Sequence, residues 1–226
     1  MTDTATTEGL EERQGAYLQA LLARDSARAR RTVEQAVEDG VPVPEVYLEV
    51  LRPALQTIGH MWAVGELTVA EEHYATALTQ SLLGTLGARM RVPPKDGRLA
   101  VVATTPAEQH VLGLQMVADF LEADGWEVLY LGASPPALDL AELVDAERPE
   151  VVALSTSTAG SFPGVAVALE ALAALPARPF VVVGGLLWTA EATRDAPALG
   201  ADLVEHDPRR LVAALRERFP PDPAEP

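Results

Sequence analysis

The sequence predicts a chain with two domains of different classes: an all-α four-helix bundle, followed by an α/β domain with a five-stranded parallel sheet. Three observations predict this order. Apolar residues recur at helical spacing over the first 90 residues, a stretch with proline and glycine follows at 91–97, and short apolar runs then alternate with helical segments. The expected domains span residues 8–91 and 98–218, and residues 219–226 are expected to form a disordered tail.

Four helices are expected in the first domain, each with its own start or stop signal. They are expected over residues 10–25, 26–40, 44–64 and 68–90. Proline in the interior of the third helix, at Pro53, predicts a kink because proline removes one backbone hydrogen bond. The fourth helix is expected to open with a capping box formed by Thr68-Val69-Ala70-Glu71.

Five short apolar runs predict the strands of the second domain. They are Leu99–Ala103, Glu127–Leu131, Val151–Leu154, Phe180–Val183 and, more weakly, Asp202–Val204. Helices are expected between them at Glu108–Ala123, Leu138–Glu147, Phe162–Leu175 and Thr189–Ala196, and a last helix begins at Asp207. Apolar strands that alternate with helices predict a parallel sheet covered on both faces, which is a flavodoxin-like (Rossmann-like) arrangement.

Composition excludes several classes of function. The chain has 17 Lys and Arg against 33 Asp and Glu, a formal net charge of −16, so its surface repels phosphate backbones and no direct nucleic-acid binding is expected. It contains no cysteine, which excludes disulfides, thiolate metal sites and thiol catalysis. Residues 1–9 lack the apolar stretch of a signal peptide, and no apolar run is long enough to span a membrane, so a cytoplasmic protein is expected.

Three polar motifs follow predicted strands, at the sheet edge where α/β proteins bind ligands. They are Glu108-Gln109-His110-Val111-Leu112-Gly113 after the first strand, Ser155-Thr156-Ser157 after the third, and Gly184-Gly185 after the fourth. An imidazole in such a loop offers a nitrogen lone pair to a metal ion. Glu108, two residues before His110, is placed to accept the hydrogen of the other ring nitrogen.

The three motifs, at these spacings, resemble the signature of base-off, His-on corrinoid proteins, usually written Asp-x-His-x-x-Gly, Ser-x-Leu and Gly-Gly. The resemblance implies a cobalamin cofactor with His110 as the lower cobalt ligand and Glu108 as its orienting partner. It also implies that the cofactor's nucleotide tail is bound by Gly113, Ser155, Ser157, Gly184 and Gly185. The chain departs from the signature at Glu108, which replaces Asp, and at Ser157, which replaces Leu.

Two other functions of such a sheet are not favoured. A phosphoacceptor receiver domain requires an acidic cluster at these strand ends, where this chain has Thr104, Thr105 and Ser155. A dinucleotide-binding fold requires Gly-x-Gly-x-x-Gly after a strand, and the chain has no such motif.

A further motif lies at one end of the predicted bundle. Trp62 ends the third helix, and Glu72 and His73 open the fourth, which gives the pattern Trp-x9-Glu-His. This pattern resembles that of the CarH/LitR-type adenosylcobalamin photoreceptors. The resemblance implies that the bundle caps the upper face of cobalamin, where an indole stacks on adenine, a carboxylate binds the ribose and an imidazole adds a polar contact. The expected function is light sensing through photolysis of the cobalt–carbon bond, with output through a homo-oligomer or a protein partner.

The chain departs from those photoreceptors in two ways. About nine residues precede the first predicted helix, so no DNA-binding domain is expected ahead of the bundle. Ala63 follows Trp62, where the CarH-type proteins can place a histidine that ligates cobalt after photolysis. His60, His73 or water is left for that role.

Three alternatives remain open at this point. The arrangement also resembles the photocobilins, so a bilin such as biliverdin is a candidate second chromophore, with Trp126, Trp188 and His206 as candidate contacts. The bilin would be held without a thioether bond because cysteine is absent.

A corrinoid methyl carrier of a methyltransferase system has the same domain order and would be an enzyme subunit, whereas the sensor is expected to have no catalytic residues. The third alternative is a passive cobalamin-binding or storage module.

Overall fold

The computed structural model describes residues 4–188, 193 and 195–221. The chain divides into two compact units, with the boundary between Met90 and Arg91. Most of the helix expected at Thr189–Ala196, and residues 222–226 of the expected tail, lie outside the described residues. Among the helices that are described, none combines the length and the apolar character needed to cross a membrane.

The first unit is helical throughout. Its elements are α1 (Thr4–Leu22), α2 (Ser26–Glu38), α3 (Val43–Glu45), a π-helical segment (Val46–Leu51), α4 (Arg52–Ala63) and α5 (Val69–Gly87). The segments from Val43 to Ala63 follow one another without a break and form the third of the four helices that the sequence predicts. The four-helix prediction is therefore confirmed.

Local side-chain hydrogen bonds explain where these helices begin. The Asp25 carboxylate accepts the backbone N–H of Arg28 at 2.9 Å and caps α2. The capping box is present at the start of α5, since Thr68 Oγ1 accepts from the N–H of Glu71 at 3.3 Å and Glu71 Oε2 accepts from the N–H of Thr68 at 2.9 Å. These reciprocal bonds satisfy backbone donors that the first turn leaves without partners.

Three helix details differ from the prediction. α1 begins at Thr4 rather than at residue 10, and α5 ends at Gly87 rather than at residue 90. A π-helical segment that the sequence does not predict lies directly before Pro53, and there the N–H of Arg52 bonds to the carbonyl of Tyr47, five residues earlier. A widened turn of this kind accommodates the hydrogen bond that proline cannot make.

The second unit is a five-stranded sheet covered by helices. Its strands are β1 (Leu99–Thr104), β2 (Glu127–Gly132), β3 (Val151–Ser155), β4 (Phe180–Gly184) and β5 (Leu203–Val204). All neighbouring pairs are parallel, in the order β2-β1-β3-β4-β5, which confirms the flavodoxin-like prediction. The described helices around the sheet are α6 (Leu112–Ala123), α7 (Ala137–Glu147), α8 (Phe162–Ala173) and α9 (Pro208–Arg218).

Two apolar clusters pack on the two faces of the sheet. One joins the sheet to α7 and α8, through residues such as Leu140 and Leu169, and the other joins it to α6 and α9, through residues such as Leu121 and Leu215. Near-continuous burial of β1, β3 and β4 follows from this double covering.

Strand register brings the three polar motifs to adjacent positions. Thr104 pairs with Ser155, and Ser155 pairs with Gly184, so the carboxyl ends of β1, β3 and β4 lie side by side. The helix expected to begin at Glu108 begins at Leu112 instead. Residues 108–111 form a loop, which places the chemistry of the first motif at the sheet edge rather than on a helix.

Candidate functional site

Glu108 is a fully buried carboxylate that joins two loops at the carboxyl edge of the sheet. Its Oε2 accepts the backbone N–H groups of Ser157 at 2.7 Å and Thr158 at 3.0 Å, and the hydroxyl of Ser161 at 2.7 Å. Its Oε1 accepts the backbone N–H of His110 at 2.9 Å. One side chain therefore holds the β1–α6 loop against the β3–α8 loop.

His110 lies beside this carboxylate with one ring nitrogen engaged. Its Nδ1 is 2.5 Å from Glu108 Oε1, and 51% of its side chain is exposed. A carboxylate at Nδ1 favours the tautomer that carries the proton there and leaves the lone pair on Nε2. The pair thus presents Nε2 as the nitrogen available to a metal ion.

Hydrogen bonding lowers the pKa of Glu108 from 4.5 to about 2. Burial by itself raises the pKa, but the backbone N–H groups of His110 and Ser157 outweigh it, with further contributions from the His110 ring and the Ser161 hydroxyl. Glu108 is consequently ionised at neutral pH and acts only as an acceptor, which suits a partner that must hold a proton on Nδ1.

A second set of polar contacts shapes the β1–α6 loop. Thr104 Oγ1 donates to the carbonyl of Glu108 at 2.8 Å and accepts the N–H of Ser134 at 2.6 Å, while Ser134 Oγ accepts the N–H of Ala107 at 2.8 Å. Ala107 and Ser134 have left-handed φ angles of 67° and 52°. Such a conformation costs a non-glycine residue on the order of 1 kcal/mol, so these contacts hold the loops in a shape that their residues do not favour.

Hydroxyl groups also crowd the end of β3. Thr105 Oγ1 and Thr156 Oγ1 are 2.9 Å apart, and both residues are fully buried. The hydroxyls of Ser155 and Ser157 make no hydrogen bond to any residue that the structure describes, although the backbone N–H of Ser157 is bonded to Glu108. Those two hydroxyls are available to a ligand at this edge.

The glycines of the motifs differ in their surroundings: two are closely packed and one faces open space. A Cβ on Gly185, whose φ is +100°, would lie 2.3 Å from the carbonyl oxygen of Thr156, and one on Gly184 would lie 2.6 Å from that of Glu205. Close packing inside the protein therefore requires Gly184 and Gly185, whatever space they also leave for a ligand. A Cβ on Gly113 would meet no atom within 4 Å, so open space lies beside the first turn of α6.

In the helical unit, Trp62 lies one residue before the end of α4 and is 43% exposed. Val64 and Val69, within the next seven residues, are exposed by 56% and 52%. The indole N–H of Trp62 has no hydrogen-bond partner among the residues described. Large apolar side chains exposed together mark a binding surface more often than isolated ones do.

Glu72 and His73 form a hydrogen-bonded pair in the first turn of α5. His73 Nδ1 is 2.5 Å from Glu72 Oε2, and Glu72 Oε1 accepts the hydroxyl of Thr76 at 2.7 Å. The His73 side chain is largely exposed and that of Glu72 is mostly buried. Because only residues 64–68 separate α4 from α5, the structure brings Trp62, Glu72 and His73 to the same end of the helical unit.

The aromatic residues considered as bilin contacts lie mainly in the core. Trp126 is fully buried, with the guanidinium of Arg98 4.4 Å from its ring centroid, and Trp188 is also buried. His206 is exposed, and its Nδ1 is 3.2 Å from the carbonyl oxygen of Gly185 at the carboxyl edge of the sheet.

Sequence reasoning missed four residues of the site: Thr104, Ser134, Thr158 and Ser161. One available signal was the hydroxyl-rich run Ser155–Ser161, which directly follows a buried strand. Polar residues at that position in an α/β sheet face the ligand edge.

The residues at the sheet edge fit a corrinoid. A corrinoid would bring its own cobalt, and His110, whose Nδ1 is engaged by Glu108, would offer Nε2 as a ligand to it. The open space beside Gly113 and the unengaged hydroxyls of Ser155 and Ser157 are on the same edge and suit a bound tail.

Comparison with known proteins matches both units to cobalamin-binding families. A B12 binding domain family matches residues 98–216, and a second B12 binding domain family matches residues 14–86. The HTH-type transcriptional repressor CarH of Myxococcus xanthus is 35% identical over 139 residues, which are 62% of this chain and 46% of that protein. The repressor CarA of the same organism is 36% identical over 148 residues, 65% of this chain and 50% of that protein. The chain spans about half the length of these curated relatives.

A solved structure supports the fold. The monomethylamine corrinoid protein of Methanosarcina barkeri has a TM-score of 0.77 and 15% identity, over 90% of this chain and 96% of that protein. At this identity the likeness shows the fold alone, a helical unit followed by a parallel α/β unit.

The match over residues 98–216 covers more than half of the 226 residues. The chain therefore belongs to the B12-binding domain family, and its cofactor is cobalamin.

Proposed function

We propose that this protein is an adenosylcobalamin-dependent light sensor rather than an enzyme. It binds cobalamin base-off, with His110 as the lower cobalt ligand, and it responds to photolysis of the cobalt–carbon bond by changing conformation or assembly. The observation that carries the proposal is the exposed Trp62 at the same end of the helical unit as the Glu72–His73 pair, in the pattern that resembles the adenosylcobalamin photoreceptors.

Glu108 and His110 define the lower ligand. Because Glu108 is buried, ionised and 2.5 Å from Nδ1, it holds the ring proton there and increases the electron density on Nε2. The same carboxylate binds the backbone of Ser157 and Thr158. A displacement of the imidazole would therefore act, through Glu108, on the hydrogen bonds that hold the β3–α8 loop.

Trp62, Glu72 and His73 are proposed to select the upper ligand. The exposed indole offers a flat apolar surface to a purine, and Glu72, already oriented by Thr76 and His73, offers carboxylate oxygens to ribose hydroxyls. A methyl ligand makes none of these contacts. The protein should therefore prefer adenosylcobalamin to methylcobalamin by the free energy of those contacts.

Adenosylcobalamin, when bound, supplies a cobalt–carbon bond that light breaks. Trp62, Glu72 and His73 would hold the adenosyl group in the dark, and loss of that group would remove the free energy by which these contacts favour the dark conformation. The methyl side chain of Ala63 has no donor atom, so position 63 cannot supply the side-chain ligand that a histidine directly after the tryptophan supplies in the CarH-type proteins. If the upper position of cobalt needed a new ligand after light, His60, His73 or water could supply it.

The proposed output is a change in self-assembly or in binding to a protein partner, without direct binding of nucleic acid. CarH and CarA are named as transcriptional repressors, which supports a regulatory role over catalysis, although the chain spans about half of their length. A bilin such as biliverdin remains a candidate second chromophore. Trp126 and Trp188 are buried, so neither side chain supports a bound bilin.

An illumination experiment tests the proposal. The purified protein is loaded in the dark with adenosylcobalamin or with methylcobalamin, and absorbance and light scattering are recorded before and after green light. We expect the adenosyl form to bind more tightly and to change molar mass or hydrodynamic radius in light. Bands beyond those of cobalamin would reveal a bilin. Equal binding of both forms, no change of size in light and acceptance of methyl groups from a methyltransferase would instead identify a corrinoid carrier.

A further inference from the structure

A cleft lined by arginine lies at the amino-terminal edge of the sheet, the edge opposite the loop of His110. Its volume is about 360 Å³, and it is bounded by the residues that precede β3, β4 and β5 and by the end of α9. Arg148, Arg178 and Arg218 line it together with Phe180 and Phe219. We propose that this cleft binds a small organic phosphate, a ligand distinct from cobalamin.

The charge of the cleft differs from that of the chain as a whole. The protein carries a formal net charge of −16, yet three arginines line this one cleft against two acidic residues, Glu150 and Asp202. Both carboxylates already have partners: Glu150 Oε2 accepts the N–H of Leu99 at 2.8 Å, and Asp202 Oδ2 accepts the N–H of Val181 at 2.7 Å. The net positive charge of the lining therefore favours an anion.

The three arginines are held in different ways. Arg178 is fixed by Asp202, 2.8 Å away, and by the carbonyl of Gly200. Arg148 ends α7 with a left-handed φ of 52°, and its guanidinium has no hydrogen bond or ion pair within the described part of the chain. A fixed guanidinium beside an unengaged one provides both a preorganised and an adaptable donor for an anion.

Aromatic rings determine which kind of anion fits. The Arg218 guanidinium carbon lies 5.1 Å from the centroid of Phe180 and 5.8 Å from that of Phe219, so both rings attract the cation and favour its position. A guanidinium placed in this way can still donate two N–H groups to two oxygens of a phosphate. Because the adjacent wall is aromatic, a phosphate that carries an organic group gains contacts that inorganic phosphate does not.

The test uses the full chain, labelled with 15N and loaded with adenosylcobalamin in the dark, so that the cobalamin site is filled. AMP, inorganic phosphate and adenosine are titrated at low salt, and backbone amide shifts are followed at Glu150, Ala177 and Phe180. Arg148→Gly removes one guanidinium where glycine tolerates the left-handed backbone, and it is combined with Arg218→Gln. Arg31→Ala, at an exposed position of α2, is the matched control for loss of a positive charge.

We expect saturable shifts at the cleft with AMP, weaker binding of phosphate and no response to adenosine. The double variant should bind AMP about tenfold more weakly or worse, the loss typical of a charge-assisted hydrogen bond, while Arg31→Ala leaves the affinity unchanged. An unchanged cobalamin spectrum shows that each variant is folded. The proposal is overturned by an absence of saturable shifts, by equal affinities for phosphate and AMP, or by an equal loss in Arg31→Ala.

Discussion

The Nδ1 of His110 and the Oε1 of Glu108 are 2.5 Å apart, and the other oxygen of the same carboxylate binds the backbone of Ser157 and Thr158. The proposed cobalt ligand and the β3–α8 loop thus share one buried anchor. If His110 ligates cobalt, a shift of its imidazole would act on a carboxylate that also binds the β3–α8 loop.

His110→Ala should weaken cobalamin binding and change the visible spectrum of the bound cofactor, because it removes the proposed axial nitrogen. Affinity is measured by titration and ligation by absorbance. His206→Ala is the matched control, since His206 lies at the same sheet edge but contacts the Gly185 carbonyl. If both variants bind and absorb as the parent does, His110 is not the ligand.

Glu108→Gln should destabilise the fold at neutral pH, because the amide replaces one acceptor oxygen with a donor facing other donors. The pKa of Glu108 is lowered from 4.5 to about 2, so its ionised form contributes stability above pH 4.5, and that contribution is lost as the pH falls toward 2. The contribution at pH 7 is on the order of 3 kcal/mol.

Chemical denaturation at pH 7 and pH 3 measures this effect. The gap in free energy of unfolding between the parent and Glu108→Gln should narrow in acid, while Glu142→Gln, at an exposed position of α7, should show no gap at either pH. A gap that stays constant from pH 7 to pH 3 would contradict the ionised, hydrogen-bonded state of Glu108.

Gly113→Ala should change the stability of the cofactor-free protein and its affinity for cobalamin in opposite directions. The added methyl meets no protein atom within 4 Å, and alanine favours the helix, so the cofactor-free protein should gain about 0.5 kcal/mol in stability. Cobalamin affinity should nevertheless fall if the tail passes through this space. Gly185→Ala should behave differently and destabilise the cofactor-free fold, because its methyl collides with the Thr156 carbonyl at φ +100°. Unaltered affinity in Gly113→Ala would place the tail elsewhere.

Trp62→Ala should reduce the preference for adenosylcobalamin over methylcobalamin by about tenfold, the loss expected for an aromatic contact with the adenine. Trp62→Phe should retain part of the preference, since it keeps a smaller ring. Val167→Ala, at an exposed site on α8, controls for loss of exposed apolar surface. Equilibrium titration in the dark with each cobalamin gives the ratio of the two dissociation constants. If this ratio in Trp62→Ala, Trp62→Phe and Val167→Ala equals that of the parent, Trp62 does not contact the adenosyl group.

The 226-residue chain should not bind DNA by itself, because a formal net charge of −16 repels the phosphate backbone. A mobility-shift titration at low salt is the most permissive measurement, since low salt favours even non-specific association. Retention of DNA at low protein concentration, in the dark or after light, would refute this expectation.

The sequence was sufficient to predict the sheet and the edge at which the motifs meet. Apolar runs such as those at β1 and β3 occur because both sheet faces are covered, and turn residues after them fix where the strands end. The capping box at Thr68 was also predictable, because the bonding pattern is local.

What the sequence did not predict depends on contacts between distant residues. The apolar pattern predicts that a helix begins at Glu108, since nothing local shows that its carboxylate bonds to residues 157–161. The paired glycines Gly184 and Gly185 indicate space for a ligand, whereas their close approach to Thr156 and Glu205 depends on the folded structure. The widened turn before Pro53 likewise has no local pattern that separates it from an ordinary kinked helix.

The π-helical segment at Val46–Leu51 has a geometric consequence for the other end of its helix. A π turn holds about one residue more than an α turn, and one residue corresponds to about 100° of rotation about the helix axis. The segment therefore takes up one extra residue within its own turn, and the residues that follow it on α4, Trp62 among them, keep the phase of a regular helix that is one residue shorter. Removing a single residue from the segment should convert it to an ordinary α turn and leave Trp62 on the same face, whereas the same deletion inside α4 should rotate Trp62 by about 100°.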